Sequence, residues 1–169
     1  MEITQPPHTV RRRKAHTLGI RVVTPFRGML RARDELMKEL LGWLDQRHVD
    51  AIGQFFLRLH VIDMKGPMDV EVGVTTSVPV KGDARVRTGF LPAGRYATLR
   101  YRGAGTQANR ELIEWTRAHG VELDRRDVPA GDSFACRYEA YVTDPRTEPR
   151  KKDRVVELNI LTKGRISAR

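Results

Sequence analysis

Met68-Asp69-Val70-Glu71-Val72-Gly73-Val74-Thr75-Thr76 alternates apolar and polar residues over its first seven positions. Val70, Val72 and Val74 fall on one face and Asp69, Glu71 and Gly73 on the other, the period-two pattern of a strand with one buried side. Immediately upstream, Gln54 to Ile62 reads as another strand. The two are joined through Lys65-Gly66-Pro67, which is close enough for an antiparallel hairpin. Ahead of that hairpin Leu36, Met37, Leu40, Leu41 and Leu44 recur at helical spacing, with Trp43 beside the stripe. They predict one amphipathic helix over Met29 to Arg47, with Asp34, Glu35, Lys38 and Glu39 on its outer face. Leu18 to Val23, closed by Pro25, supplies a strand before the helix.

The same order then returns. Val86 to Leu91 and Arg95 to Tyr101 are strand candidates on either side of the turn Pro92-Ala93-Gly94. A second helix is expected from Thr106, a candidate N-cap, to His119, with Ala108, Leu112, Trp115 and His119 on one face and Gly120 ending it. Ser133 to Val142 and Val155 to Lys163 complete the set, separated by the polar loop Thr143 to Asp153. The class is therefore α+β, a duplicated strand–helix–strand–strand unit with pseudo-twofold symmetry, an antiparallel sheet and one main helix per half. Such duplication predicts a cleft where the halves meet. Residues 1–17, with Pro6-Pro7 and the run Arg11-Arg12-Arg13-Lys14, read as a flexible basic leader. Residues 18–164 read as a single domain with halves at about 18–78 and 86–163, and 165–169 as a tail.

A length of 169 residues suffices for a real core without disulfide or metal staples. Cys136 is the single cysteine, so no internal disulfide is possible, which fits a reducing, cytoplasmic setting. No signal peptide or membrane-length apolar run is present. The net charge of +10 makes nucleic acid the first partner to weigh. The charge is scattered, however, in short runs such as Arg150-Lys151-Lys152, and no recognition motif accompanies it. Only weak, non-specific polyanion binding is expected. No metal cluster, phosphate loop or dinucleotide fingerprint is found, and no cofactor or metal is expected.

Three segments in order, Asp69-Val70-Glu71-Val72-Gly73-Val74, Leu91-Pro92-Ala93-Gly94-Arg95-Tyr96-Ala97, and Tyr138-Glu139-Ala140-Tyr141 followed by Asp144-Pro145, resemble the GyrI-like effector-binding domains. These form the drug-sensing halves of MerR- and AraC-type bacterial regulators and also occur alone. The resemblance spans roughly Leu18 to Lys163. It implies a concave, aromatic-lined pocket at the junction of the halves for a small organic molecule, often cationic, planar and lipophilic. It places the ligand-facing acid at Glu139. Some members similar in sequence hydrolyse reactive cyclopropane-bearing compounds with the same acid, and one inhibits DNA gyrase. Where the family often has tyrosines, this chain has Leu59 and Asn159, two fewer aromatic walls. No DNA-binding domain precedes this one in the sequence. The implied role is thus a stand-alone sensor, sequestering protein or resistance factor, with a hydrolase and a protein-interaction module as alternatives.

Strand alternation sorts the candidate residues. Phe134, Cys136 and Tyr138 are expected on one face, as core against Trp115 and its helix, and Arg137, Glu139 and Tyr141 on the other, lining the groove. Glu139 is the candidate ligand anchor and, in a hydrolase, the general base with a groove tyrosine as acid. Pairing of Glu139 with Arg137 or Arg58 as a structural bridge is the competing expectation. Phe56, Arg58 and His60 share a face opposite Phe55, Leu57 and Leu59. Tyr96 and Tyr101 are an odd number of positions apart, so one is expected in the core and one in the groove. Glu71 and Glu157 are expected on solvated strand faces. The candidate ligand-binding set is Glu139, Tyr141, Arg137, Phe56, Arg58, His60, Tyr96, Tyr101 and Asn159.

Overall fold

A computed structural model describes residues 1–50 and 52–164; the expected tail 165–169 lies outside the described residues. Among the described residues ten strands and two helices run in the order β1 (Glu2–Arg12), β2 (Ala15–Pro25), α1 (Met29–Gln46), β3 (Ile52–Ile62), β4 (Pro67–Thr76), β5 (Arg87–Leu91), β6 (Gly94–Arg102), α2 (Gly105–Ala118), β7 (Arg125–Val128), β8 (Gly131–Phe134), β9 (Arg137–Tyr141) and β10 (Val156–Leu161), with a 3₁₀ turn at Lys151–Asp153. The sheet follows the path β1-β6-β10-β9-β3-β4-β2-β5, with β7 and β8 attached beside β3. All the pairings are antiparallel. No helix among the described residues is long and apolar enough to cross a membrane.

The path reads the same from either end once β2-α1-β3-β4 is matched with β6-α2-β9-β10, so the expected duplication is present. The registers carry the match to single residues. Arg58 pairs with Glu71 and Tyr138, while Ala140 pairs with Glu157 and Phe56. Glu71 therefore corresponds to Glu157, Phe56 to Tyr138, and Leu57 to Glu139. Arg21, opposite Glu71, likewise corresponds to Arg100, opposite Glu157.

Residues 2–12 correct the expectation of a flexible leader, because they form β1, an edge strand on β6. Its pairing slips between Gln5 and His8, where Pro6 and Pro7 lack N–H donors, which an edge position tolerates. A buried polar cluster holds the strand in place. Arg12 Nη2 donates to Glu157 Oε1 at 2.9 Å and Arg12 Nε to Asn159 Oδ1 at 3.1 Å, while Arg100 Nε reaches Glu157 Oε2 at 2.7 Å. Glu157 is 5% exposed, so the solvated face expected for it is also corrected. The leading strands are exchanged between halves. β1 runs into β2 but pairs with β6; β5 runs into β6 but pairs with β2. Only Arg13-Lys14 and Pro92-Ala93 make these links, so the sheet must curl until its two ends meet.

Both helices lie on one face. Leu36, Leu40 and Leu44 of α1 cover Leu18, Ile20, Val70, Val72 and Val74. Ala108 and Leu112 of α2 cover Ala97, Leu99, Leu158 and Ile160. α2 begins at Gly105 with Ala104 as its N-cap, so Thr106 lies inside the first turn rather than capping it. Gly120 has φ 65°, the left-handed conformation that lets the chain leave the helix. On the opposite, concave face Phe56, Leu91, Tyr96, Cys136, Tyr138 and Leu161 pack together, with ring centroids 6.1 Å apart for Phe56–Tyr138 and 5.9 Å for Tyr96–Tyr138.

One strand was expected over Ser133 to Val142. The chain instead breaks at Ala135-Cys136 between β8 and β9, after a β7–β8 hairpin that the sequence reading did not contain. The break resets the alternation. Phe134 packs under α2 as expected, but Cys136 and Tyr138 turn to the concave face, away from Trp115.

Candidate functional site

β9 lies next to the centre of the sheet, where the two halves join through its pairing with β3. α1 packs over β2 and β4, and α2 over β6 and β1, so the helices straddle this seam. Glu139 points to the helix face between Leu57 of β3 and Leu158 of β10, both buried. It is the charged member of an otherwise apolar row. Burial pushes its carboxyl above the ordinary value; Arg33 and Arg137 oppose that shift without cancelling it.

Around Glu139 the structure gathers Tyr101, Tyr141, Arg137, Arg33 and Asn109. The Arg137 guanidinium lies 4.8 Å over the Phe134 ring and donates through Nη2 to Asn109 Oδ1 at 2.8 Å. Asn109 Nδ2 in turn donates to Gly105 O at 2.9 Å, fixing the amide on the first turn of α2. Arg33 comes from α1 and pairs with Asp34 at 3.1 Å, and Asp34 also holds Lys151 at 2.6 Å. Tyr101 Oη sits against the backbone of Gly105, where a Cβ would stand 2.7 Å from it. Burial, then the neighbouring Glu139 carboxylate, pushes both the Tyr101 and Tyr141 phenols upward. Among the described residues the buried Tyr141 hydroxyl has no hydrogen-bond partner. An unpaired buried hydroxyl beside a desolvated carboxyl is an arrangement that folding alone does not favour.

The expected site set is thereby divided. Glu139, Tyr141, Arg137 and Tyr101 meet on the helix face. Phe56, Arg58, His60, Tyr96 and Asn159 lie on the concave face, with the sheet between the two groups. Tyr96 donates its hydroxyl to Pro92 O at 2.7 Å, and Asn159 belongs to the cluster that anchors β1. His60 Nε2 lies 2.9 Å from Glu71 Oε1, so Glu71 is not on a solvated face either. Arg58, on the far side, cannot bridge to Glu139. Tyr96 and Tyr101 do point to opposite faces, as their spacing predicts.

Two site residues are absent from the sequence reading. Arg33 falls in the buried stripe Met29, Leu36, Leu40, Leu44 at helical spacing, and a cation interrupting such a stripe is a readable sign. Asn109 stands beside Ala108 and three positions before Leu112, and gives no comparable sign.

Sequence comparison finds no matching family model and no matching curated protein. Solved structures do match. EcmrR, in its DNA complex within EcmrR-RPo, aligns with a TM-score of 0.68 at 14% identity over 92% of this chain; the chain spans 56% of that protein's length. The EcmrR C-terminal domain alone gives 0.64 at 13% identity, covering 96% of this chain and 99% of the domain. SAV2435 bound to tetraphenylphosphonium gives 0.61 at 15% identity, with 97% and 95% covered. A hydrolase from Listeria innocua gives 0.60 at 9% identity, with 94% and 92% covered. The chain thus has the duplicated fold implied by its resemblance to the GyrI-like effector-binding domains.

Proposed function

We propose that this chain binds a small organic molecule between α1 and α2, with Glu139 as the polar anchor and Tyr101 and Tyr141 as aromatic walls. The observation that carries the reading is the half-buried Glu139 carboxyl, held above its ordinary pKa beside the unpaired Tyr141 hydroxyl. The Tyr141 hydroxyl loses its hydrogen bonds to water and regains none from the described residues, while the desolvated Glu139 carboxyl keeps only the neighbouring Asn109 amide. A ligand that brings positive charge or a donor to Glu139, or an acceptor to the Tyr141 hydroxyl, offsets that loss. SAV2435, of similar fold, holds tetraphenylphosphonium, a delocalised lipophilic cation. Here Arg33 and Arg137 stand beside the acid, so the ligand carries no more than one diffuse positive charge. A sensor, sequestering or resistance role follows from such binding.

Calorimetric titration with tetraphenylphosphonium and with neutral triphenylphosphine oxide tests this. Binding of either, weakened by Glu139→Gln or Tyr141→Phe, supports the site. Binding that neither substitution alters removes the groove from the reading.

A hydrolase is the second reading, favoured by the same Tyr141 hydroxyl. Glu139 would take a proton from the attacking water and Tyr141 would give one to the leaving group. Release of a ring-opened product from a reactive cyclopropane, abolished by Glu139→Gln, would establish it.

A further inference from the structure

The concave face holds a cavity of about 790 Å³ lined by none of the residues gathered around Glu139. That volume lies within the range of small-molecule sites, about 300–1,000 Å³. Its floor includes Gly19 in β2, over which the Glu71 side chain lies, and Gly89 in β5, directly opposite Thr17. One side is apolar, made by Phe90, Pro92 and Leu161. The remainder is basic, with Arg21, Arg58, Arg85 and Arg87 against one carboxylate, Glu71, which is engaged with His60.

The four arginines are not equivalent. Arg21 is held by both oxygens of Asp69, and Arg85 by both oxygens of Glu39. Among the described residues Arg58 donates only to neutral carbonyls, Nη1 to Phe90 O at 3.1 Å and Nη2 to Ala135 O at 2.9 Å, and its buried Nε has no partner. Arg87 makes no side-chain hydrogen bond or ion pair among the described residues. The cavity therefore carries a rigid guanidinium and a free one, neither neutralised by a carboxylate. Guanidinium forks match carboxylate and phosphate oxygens in pairs, and a recessed, partly dry wall strengthens such contacts.

We infer that this cavity is a second binding site, for a small organic anion whose carboxylate or phosphate meets Arg58 and Arg87 while its apolar body lies on Phe90, Pro92 and Leu161. Phe90 is 50% exposed, a large apolar ring presented to solvent at the rim. This site is independent of the one proposed at Glu139, which lies across the sheet.

The test uses phenyl phosphate, benzoate and inorganic phosphate, titrated calorimetrically into the full chain at physiological salt. Phenyl phosphate or benzoate should bind, and the tighter of the two identifies the head group. Arg87→Gln should weaken binding by about tenfold or more, the loss of one charge-assisted contact. Phe90→Ala should weaken the aromatic probes and leave inorganic phosphate unchanged. Arg110→Gln, on the exposed face of α2, should leave the affinity of all three probes unchanged. Because Arg58 also ties two walls together, the Arg58→Gln result counts only if circular dichroism shows the fold intact; Arg87→Gln decides the matter regardless. Failure of both aromatic probes to bind at millimolar concentration overturns the proposal. So do equal losses from Arg87→Gln and Arg110→Gln, which would mark attraction to diffuse surface charge.

Discussion

Glu139 and Leu57 face each other across the β3–β9 ladder, and each occupies the position in its own half that the other occupies in its half. The duplicated architecture thus puts a leucine in one copy and a carboxylate in the other at the seam of the sheet. Symmetry would favour two apolar residues there, so the acid stands out as the asymmetric member. Its stability cost can be measured directly. A carboxyl whose folded pKa is raised binds its proton more tightly folded than unfolded, so its ionisation destabilises the fold as pH rises above the ordinary glutamate range. Glu139→Gln should therefore leave melting unchanged near pH 4 and raise it at pH 7, by roughly 2–4 °C for each kcal/mol relieved. A lower melting temperature at pH 7 would show instead that Glu139 neutralises Arg33 and Arg137 as a structural bridge.

The same shift sets the pH dependence of ligand binding. A cation such as tetraphenylphosphonium needs the ionised acid, so its affinity should rise with pH through a midpoint above that of an ordinary glutamate. Loss of the charge in Glu139→Gln should cost about 1.5–3 kcal/mol, one to two decades in affinity, and flatten the profile. Titration at pH 4 to 8 reads both. A flat wild-type profile would show that the probe does not contact Glu139.

Arg12 fastens β1 to a buried acid, so the N-terminal strand contributes to stability. Arg12→Gln leaves Glu157 with Arg100 and should cost roughly 1–3 kcal/mol in urea denaturation. Deleting residues 1–12 should cost more, since it also bares the edge of β6. Unchanged stability after the deletion would mean that β1 is only loosely held.

The helices, the β3–β4 hairpin and the duplication were legible because their apolar residues repeat with the period of the element that buries them. β1 was not. Its residues are mostly polar, Pro6 and Pro7 interrupt it, and its partners lie in β6 and β10, about 80 to 150 positions away. A sign was nonetheless present: the second copy has a leading strand, Arg87–Leu91, and duplication requires one in the first. Glu139 was found, but its surroundings were mixed with residues of the other face, because alternation was carried across Ala135-Cys136. A two-residue break in a strand resets which face each later side chain takes, and only tertiary pairing reveals it.

Two glycines give opposite expectations from the same substitution. At Gly73 a Cβ would collide with the Phe56 ring and stand 2.9 Å from Leu18 O, a backbone atom that cannot yield. Gly73→Ala should cost about 1–3 kcal/mol by overpacking. Gly42 lies exposed within α1, with nothing within 4 Å of a Cβ. Gly42→Ala should stabilise by about 0.5–1 kcal/mol through helix propensity. Equal effects in thermal melts would show that the concave-face packing of Phe56 is not as described.

Asp83 ties the loop between β4 and β5 to α1, and its titration should be visible at acid pH. Its Oδ2 accepts the Trp43 indole N–H at 2.8 Å and Arg47 Nη2 at 3.0 Å, while Oδ1 accepts the backbone N–H groups of Arg85 and Val86, both at 2.8 Å. The Trp43 bond, followed by the Val86 and Arg85 amides, lowers its carboxyl to about 2. A depressed folded pKa contributes stability above the unfolded value, and that contribution fades as pH falls toward the folded one. Trp43 emission should therefore hold steady from pH 7 through the range where ordinary aspartates protonate, near 3.9, and change only as pH approaches 2. Asp83→Asn replaces an acceptor oxygen by a donor nitrogen facing Trp43, Arg47 or the two amides, and should give the altered emission already at pH 7. Trp115 lies stacked on His119 far along the chain, so Trp43→Phe supplies the background to subtract. A Trp43 transition near pH 4 in the wild type would show that the Asp83 contacts do not form in solution.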